Sequence, residues 1–367
     1  TGVQTCALPI LRRIGLVGCG HIGTVHSLAL GQLTKAGLID AAITATHDPD
    51  RSRAEEQARH HGATVHDSLD ALADDCDVLW VCTWTAAHAA AVRAAAERGL
   101  PVFCEKPLAP TLAACEVVAA DLRRVPHQVG LVLRHAPVFH ALAEIVASGR
   151  YGRPMATILR DDQYFPIQGM YGSTWRRDVE QAGGGTLLEH SIHDVDLLHW
   201  MLGGLPDAVS GRVSSTFGYP GIEDTATVTL DYGTHRATVV SVWHQVTTRP
   251  STRRLEVFCE DALLWTEDDY CGPLHVETSE GTTTIVGEPP EWVERFTIPT
   301  ALAKQLGQYA EPSKAFLDGL DGEVPDAAGF PDVDVALAAH RVVDLAYRSS
   351  AAGGAPMALG EGSGSRR

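Results

Sequence analysis

Glu189 and His193 stand four residues apart, directly after the glycine run Gly183, Gly184 and Gly185. On a helix that spacing stacks the two side chains on one face, where a carboxylate can hold and polarise an imidazole as a general acid/base pair. Apolar Leu187, Leu188, Ile192, Val195, Leu197, Leu198 and Trp200 recur around the same turns, so one helix through residues 186–200 is expected, mostly packed away with its polar stripe facing a cleft. The second reactive candidate is Lys106, within Glu105-Lys106-Pro107 at the end of an apolar strand. Only four of the 29 basic residues are lysine (Lys35, Lys106, Lys304, Lys314), so a lysine in this place marks a demand for an ammonium. Burying it is costly unless something anionic or hydroxylic meets it, and Pro107 keeps Lys106 out of the helical conformation. A plain salt bridge from Glu105 to Lys106 is disfavoured, since adjacent strand residues point to opposite faces. His190, Asp194 and His199 beside Glu189 and His193 also invite a metal reading. No third ligand with convincing spacing accompanies the pair, so no metal is expected. Asp196 suits a structural hydrogen bond.

These groups need a cofactor and a scaffold, and both are legible upstream. Residues 13–17 form a short apolar strand that runs into Gly18-Cys19-Gly20-His21-Ile22-Gly23 and then a helical stretch over 24–33. Strand, G-x-G-x-x-G and helix in that order form a dinucleotide-binding turn. The first glycine permits the turn, the second admits the pyrophosphate, the third lets helix and strand pack, and the helix N-terminus faces the phosphates, with His21 and Ile22 alongside. A second strand over 41–46 ends at His47-Asp48, where an acid about 20 residues past the glycines binds the adenosine ribose hydroxyls and favours NAD. Arg51 and Arg53 could instead fold over a 2′-phosphate, so NADP stays open, and Asp48-Pro49-Asp50 could simply cap the helix over 51–61. Alternation continues with a strand at 64–65, a helix over 68–73 and the strand 77–82. That strand delivers Thr83 and Trp84 where cofactors lie in such sheets; His88 opens the helix up to residue 99 as a cap, a packing residue or a cofactor contact. The strand 101–104 leads to Glu105 and Lys106.

Together these motifs carry a resemblance. Gly18–Gly23, the run Cys-Glu-Lys-Pro-Leu-Ala over 104–109, Trp175-Arg176-x-Asp178-x-Glu180-x-Ala182-Gly183-Gly184-Gly185 and the helix ending Trp200-x-Leu202-Gly203 resemble the Gfo/Idh/MocA oxidoreductases, over nearly the whole chain from Arg12 to about Leu359. The resemblance implies an α/β chain: an N-terminal Rossmann domain with a doubly wound parallel sheet, and a C-terminal α+β domain with a large, mostly antiparallel open sheet. It implies that Lys106 contacts the substrate hydroxyl and the nicotinamide ribose, and that Glu189 and His193 are the catalytic pair. Inositol dehydrogenases carry Asp where this chain has Glu189, and the extra methylene moves the carboxylate, which bears on the substrate more than on the reaction class. It also implies a homodimer or homotetramer through the exposed sheet face.

In the chemistry expected, His193 removes a secondary hydroxyl's proton, Lys106 stabilises the alkoxide, Glu189 orients the imidazole, and hydride passes to the nicotinamide. Tyr164, Tyr171, Trp175 and Arg176 precede the helix and suit a sugar or polyol, since aromatic rings stack on C–H faces and Arg binds vicinal hydroxyls; packing explains either tyrosine equally well. His190 is placed with these substrate contacts. Two further classes remain: an NAD-dependent, redox-neutral glycoside hydrolase on the same fold, and a non-catalytic dinucleotide-sensing regulator. The first differs by releasing sugar without net NADH, the second by binding dinucleotide without turnover.

The chain has 367 residues, enough for two domains, and its 29 basic against 46 acidic residues give a formal net charge of −17. That charge argues against a nucleic-acid partner, and no apolar run spans a bilayer, so a membrane partner is not expected either. The eight cysteines include no C-x-x-C pair, consistent with a reducing cytoplasm. Residues 1–10 resemble a translated sequencing adapter and are set aside as non-native. Residues 11–127 are assigned to the Rossmann domain, and 128–350 to the substrate-binding and oligomerisation domain, with residues 128–134 as its first strand, a helix over 137–148, alternating strands near 226–230, 236–246 and 254–259, and a closing helix over 332–349. Residues 351–367 are expected to be a mobile tail.

Overall fold

The computed structural model describes residues 11–322 and 330–360, so the reading of residues 1–10 and that of residues 361–367 fall outside the described residues. The first half runs β1 Arg12–Val17, α1 His21–Lys35, β2 Ala41–His47, α2 Arg51–His61, β3 Thr64–Val65, α3 Leu69–Asp74, β4 Val78–Val81, α4 His88–Arg98, β5 Val102–Cys104, α5 Leu112–Leu122 and β6 His127–Val129. The six strands form one parallel sheet in the order β3-β2-β1-β4-β5-β6. Chain order therefore reverses between β1 and β4, and the crevice beyond the strand ends there is where ligands bind in doubly wound sheets. Central strand β4 is buried at every position, as expected of a strand covered on both faces. Local signals fix the helix ends: Asp50 caps α2 by accepting from Ser52 N, and Gly62 closes it in the left-handed conformation.

The second half runs α6 Pro137–Ser148, β7 Pro154–Tyr164, α7 Val179–Ala182, α8 Thr186–Glu189, α9 Ile192–Met201, β8 Ala208–Ser214, β9 Thr225–Asp231, β10 Arg236–His244, β11 Thr252–Cys259, β12 Leu263–Thr266, β13 Leu274–Thr278, β14 Gly281–Ile285, α10 Thr300–Leu320, α11 Val333–Ala351 and β15 Met357–Ala358. Its nine strands form a second sheet, ordered β14-β13-β12-β11-β7-β10-β9-β8-β15, in which only β7 and β10 pair in parallel among the described residues. Burial alternates along β9, β10 and β11, with one face packed beneath α6, α9 and α11.

Three expectations shift, and one element is added. Residues 128–134 are not one strand: β6 ends at Val129 as the outermost strand of the first sheet, and residues 132–135 coil into a 3₁₀ turn. The helix expected through 186–200 breaks into α8 and α9. Both His190 N and Ser191 N return to Thr186 O, and Ser191 Oγ turns to Ser241 Oγ at 2.6 Å and Asp161 Oδ2 at 3.4 Å, partners that draw it out of a regular helix. The segment after residue 350 is not loose throughout: β15 adds to the sheet edge beside β8, and Leu359 N bonds Asp207 O at 3.0 Å. A helix that alternation does not announce, α10, packs Leu306, Ala310, Phe316 and Leu317 against Ile14, Trp80 and Phe103 of the first sheet. Helix α11 spans both cores. Val333, Ala336 and Leu337 join the first, while Ala339, Val342, Val343 and Ala346 join the second.

Candidate active site

The two halves meet around a cavity of about 670 Å³, lined from one side by the glycine turn, Asp48, Thr83, Trp84, Glu105 and Lys106 and from the other by residues 170–176, Glu189, His190 and His193. That volume suits a small ligand and part of a dinucleotide.

At one end, β1 delivers the chain into Gly18, at φ +87°, where a Cβ would lie 2.5 Å from Thr83 N. A Cβ on Gly23 would sit 2.1 Å from Gly18 O, so the third glycine is required for the helix to approach the strand. Gly20 is the N-cap of α1 without a side-chain cap, and the first turn carries no acid. The helix thus presents its first-turn N–H groups beside Gly20, where an added Cβ would meet the Arg53 guanidinium at 3.9 Å, a cradle that fits a pyrophosphate. Asp48 is held by Cys19 N on Oδ2 and Asp50 N on Oδ1, both at 2.8 Å, and lines the cavity with Arg53 and Glu56. Arg51 does not: it turns away to Glu55 at 2.9 Å and to Asp67, because α2 rotates it away from the glycine turn. His88 is likewise absent from the cavity wall. It is 1% exposed, its Nε2 lies 3.2 Å from Thr83 O, and it belongs to the packing behind the strand ends.

In the middle, β5 carries Glu105 and Lys106, with the Lys106–Pro107 peptide cis. Lys106 Nζ donates to Glu189 O at 2.8 Å, which ties the ammonium of one half to the backbone of the other. Burial lowers the Lys106 pKa; Glu105 and Glu189 oppose that, and Arg176 and Arg253 add to it. Glu105 does not pair with the Lys106 side chain. Its Oε1 accepts from His26 Nε2 at 2.7 Å and its Oε2 from Lys106 N at 3.1 Å. Trp80 Nε1, a donor only, points to His26 Nδ1 at 3.3 Å, which assigns the proton to Nε2. Burial alone would raise the Glu105 pKa, but the His26 bond and the neighbouring Lys106 bring it below the usual value.

On the other side, Glu189 does not orient His193. Its Oε1 accepts from Thr85 Oγ1 at 2.6 Å and its Oε2 from Arg176 Nε at 3.1 Å, with the Arg176 guanidinium 4.3 Å over the Trp175 ring. The break between α8 and α9 removes the stacked geometry on which that pairing depends. Burial raises the Glu189 pKa, partly offset by Arg176 and Lys106. His193 is 8% exposed, and among the described residues its Nδ1 has no hydrogen-bond partner. Burial, then Lys106 and Arg253, hold its pKa well below 6.5, so the ring is neutral and a weak base.

Of the aromatic candidates, Tyr171 and Trp175 line the cavity, and Tyr171 meets the His21 ring edge-on at 5.2 Å. Tyr164 lies outside the wall; its hydroxyl accepts from Met170 N at 3.2 Å and supports the loop that carries Tyr171. Asp194 is not available to a metal. It accepts from Arg253 Nε at 2.6 Å, and Asp196 is held by Arg134 at 2.7 Å. Among the described residues no group of three His, Cys, Asp or Glu side chains could hold a metal ion.

A polar and charged cluster that motif reading misses lies below His190. Ser241, Asp161 and Arg253 are direct neighbours across β10, β7 and β11. Arg253 reaches Asp194 at 2.6 Å, Asp161 at 3.0 Å and Asp269 at 2.8 Å. Burial raises the pKa of both Asp161 and Asp194, the latter to about 7, against the opposing pull of Arg253. His190 Nδ1 is 3.3 Å from Asp161 Oδ2 but off the line of a hydrogen bond. Thr85, adjacent to Trp84, was within reach of sequence; Gln163, Arg253, Asp269, Gln308 and Tyr309 carry no spacing signal.

Residues 12–131 match the family model described as an oxidoreductase family with an NAD-binding Rossmann fold, and residues 139–264 match the GFO/IDH/MocA C-terminal domain. The chain is 30% identical over 305 residues to inositol 2-dehydrogenase of Paracoccus denitrificans, covering 77% of this chain and 81% of that one. It is 28% identical over 350 residues to inositol 2-dehydrogenase of Rhizobium meliloti, covering 92% and 97%. Among solved structures, levoglucosan dehydrogenase in complex with NADH and levoglucosan superposes with a TM-score of 0.81 at 18% identity, covering 95% and 99%, a likeness of fold.

Proposed function

The chain belongs to the GFO/IDH/MocA oxidoreductase family, and from that premise we propose that it transfers a hydride between NAD and a secondary hydroxyl of a sugar, sugar derivative or cyclitol. The glycine turn and the α1 N-terminus would hold the pyrophosphate, Asp48 the adenosine ribose, and Thr83, Trp84 and Glu105 the nicotinamide side. When bound, NAD supplies the hydride acceptor. NADP is the secondary possibility, with Arg53 rather than Arg51 placed to meet its extra phosphate.

Lys106 donates to the substrate oxygen and stabilises negative charge on it, while neutral His193 takes the hydroxyl proton. The low basicity of His193 transfers much of the work to Lys106, whose ammonium makes the hydroxyl more acidic. Glu189 serves this by fixing the carbonyl that Lys106 uses as a rest, with Thr85 and Arg176 holding its carboxylate. Tyr171, Trp175 and Arg176 form the wall above, and His190 the edge. The observation that carries the reading is the convergence of Lys106 from the first half and of His193, its Nδ1 unpartnered among the described residues, from the second on one cavity that also contains the glycine turn.

A homodimer or homotetramer in the cytoplasm completes the proposal. The outer face of the nine-stranded sheet, with Met155 and Ile158 exposed, supports the first, and among the described residues no helix is long and apolar enough to cross a membrane. A panel of polyols and aldoses with NAD and NADP, followed by reduced-nicotinamide absorbance, tests the activity; light scattering on a sizing column tests the assembly. Sugar release without net reduction would replace the dehydrogenase by a redox-neutral hydrolase.

A further inference from the structure

Among the described residues, four Lys or Arg side chains line the cavity: Arg53, Lys106, Arg176 and Arg253. Three already have carboxylate partners, Arg53 with Asp50 at 3.4 Å, Arg176 with Glu189 at 3.1 Å, and Arg253 with Asp161, Asp194 and Asp269 at 2.6–3.0 Å. Lys106, at the reacting end, rests on a backbone carbonyl. The far end beyond it shows the opposite chemistry. Asp269 spends Oδ2 on Arg253, keeps a side chain 48% exposed, and is steadied by Gln308, whose amide donates to its backbone carbonyl at 3.4 Å. Gln163, two residues along β7 from Asp161 and so on the same face, is 8% exposed; among the described residues its amide has no hydrogen-bond partner, and it lines the cavity. An amide that faces the cavity and spends no bond within the protein is available to donate to and accept from a ligand hydroxyl.

We propose that Asp269 and Gln163 choose the substrate. The cleft takes an uncharged polyhydroxy compound, with hydroxyls remote from the reacting carbon donating to Asp269 and pairing with Gln163, and it turns away carboxylated or phosphorylated sugars. An anionic group there would face Asp269 and find Arg253 committed; releasing that arginine would strand buried carboxylates without their cation. A neutral diol needs no such rearrangement. This rests on the hydride-transfer reading above and deepens it to a substrate class.

The test uses matched pairs on the full chain: a neutral aldose against its uronate, and a cyclitol against its monophosphate. Two readouts are taken, kcat/KM with NAD, and equilibrium quenching of tryptophan fluorescence by each compound in NADH-loaded protein, since Trp84 and Trp175 line the cavity. The neutral member should be favoured in both, by about 100-fold over the anion. Asp269→Asn should raise KM for the neutral substrate about 10-fold or more with kcat within a few-fold, and narrow the gap to the anion. Gln163→Leu should raise KM by about 2- to 10-fold, with circular dichroism melts showing both variants folded. Anionic members bound as well as neutral ones, or KM unmoved in both variants, would overturn the assignment. Hydride transfer with anions preferred overturns this inference alone, whereas no hydride transfer from any compound overturns the activity reading and this one with it.

Discussion

Substituting Glu105→Gln probes the buried support of the reactive lysine with the smallest change in shape. The carboxylate accepts from His26 Nε2 at 2.7 Å and from Lys106 N at 3.1 Å, and both donors are fixed, the first by Trp80 and the second by the backbone. A glutamine can keep one of these bonds through its oxygen, but its NH₂ then faces the other donor with no acceptor in reach. Replacing a charge-assisted bond by opposed donors in a buried site costs about 1–3 kcal/mol. A melting midpoint several degrees lower is expected, with the secondary-structure spectrum unchanged. The charge itself matters for catalysis. Glu105 is the largest influence opposing the burial that lowers the Lys106 pKa, so its neutralisation lowers that pKa further. Since Lys106 must be protonated to stabilise an alkoxide, the alkaline limb of the kcat/KM profile should move to lower pH, while the acidic limb stays in place. The assay is the pH–rate profile of wild type and Glu105→Gln on one polyol, with NADH binding measured in parallel. An alkaline limb that stays in place or moves upward would refute the idea that Glu105 sustains the Lys106 charge.

Other expectations follow from single contacts. Lys106→Ala and His193→Ala should each lower turnover by about 10²- to 10⁴-fold while NADH titration shows the dinucleotide still bound. Gly130→Ala places a Cβ 2.6 Å from Glu105 Oε1, so it should push that carboxylate off His26, reduce stability by about 1–3 kcal/mol in urea unfolding, and lower activity with it. Burial raises the pKa of half-buried Glu311 from 4.5 to about 7, against the opposing effect of the Tyr270 hydroxyl it accepts from. Between those values the unfolded chain ionises and the folded one resists, so this group's contribution is present below pH 4.5 and about 3 kcal/mol of it is lost as pH rises through 7. Glu311→Gln should therefore gain melting temperature relative to wild type at pH 8 compared with pH 4.5; an equal difference at both would count against it.

The elements that sequence discloses are those whose causes are local. The glycine turn is legible because each glycine answers a demand within a few residues, and α2 because Asp50 and Gly62 bound it. The break after Glu189 is not legible, since it depends on Ser191 reaching Asp161 and Ser241 on other strands, 30 and 50 residues away. That missed break carries over to the site, where four-residue spacing suggests an acid–histidine pair and folding gives Glu189 to Thr85 and Arg176 instead. Arg51 and Arg53 are two apart on a helix, so only the phase of α2 decides which faces the cavity. The row Ser241, Asp161, Arg253 exists only through strand register. Helix α10 carries Pro312 in its interior, which argues locally against a helix of that length, and burial of its apolar face on the first sheet prevails.

The most direct test follows the hydride itself. A neutral polyol deuterated at one carbinol carbon at a time is incubated with the protein and NAD, and the product nicotinamide is examined by NMR at C4. Deuterium should arrive there from one carbon, on one face of the ring, and fall together with turnover in Lys106→Ala and His193→Ala. Product formed with no deuterium at C4, or transfer that persists at wild-type rate in both variants, would contradict the account.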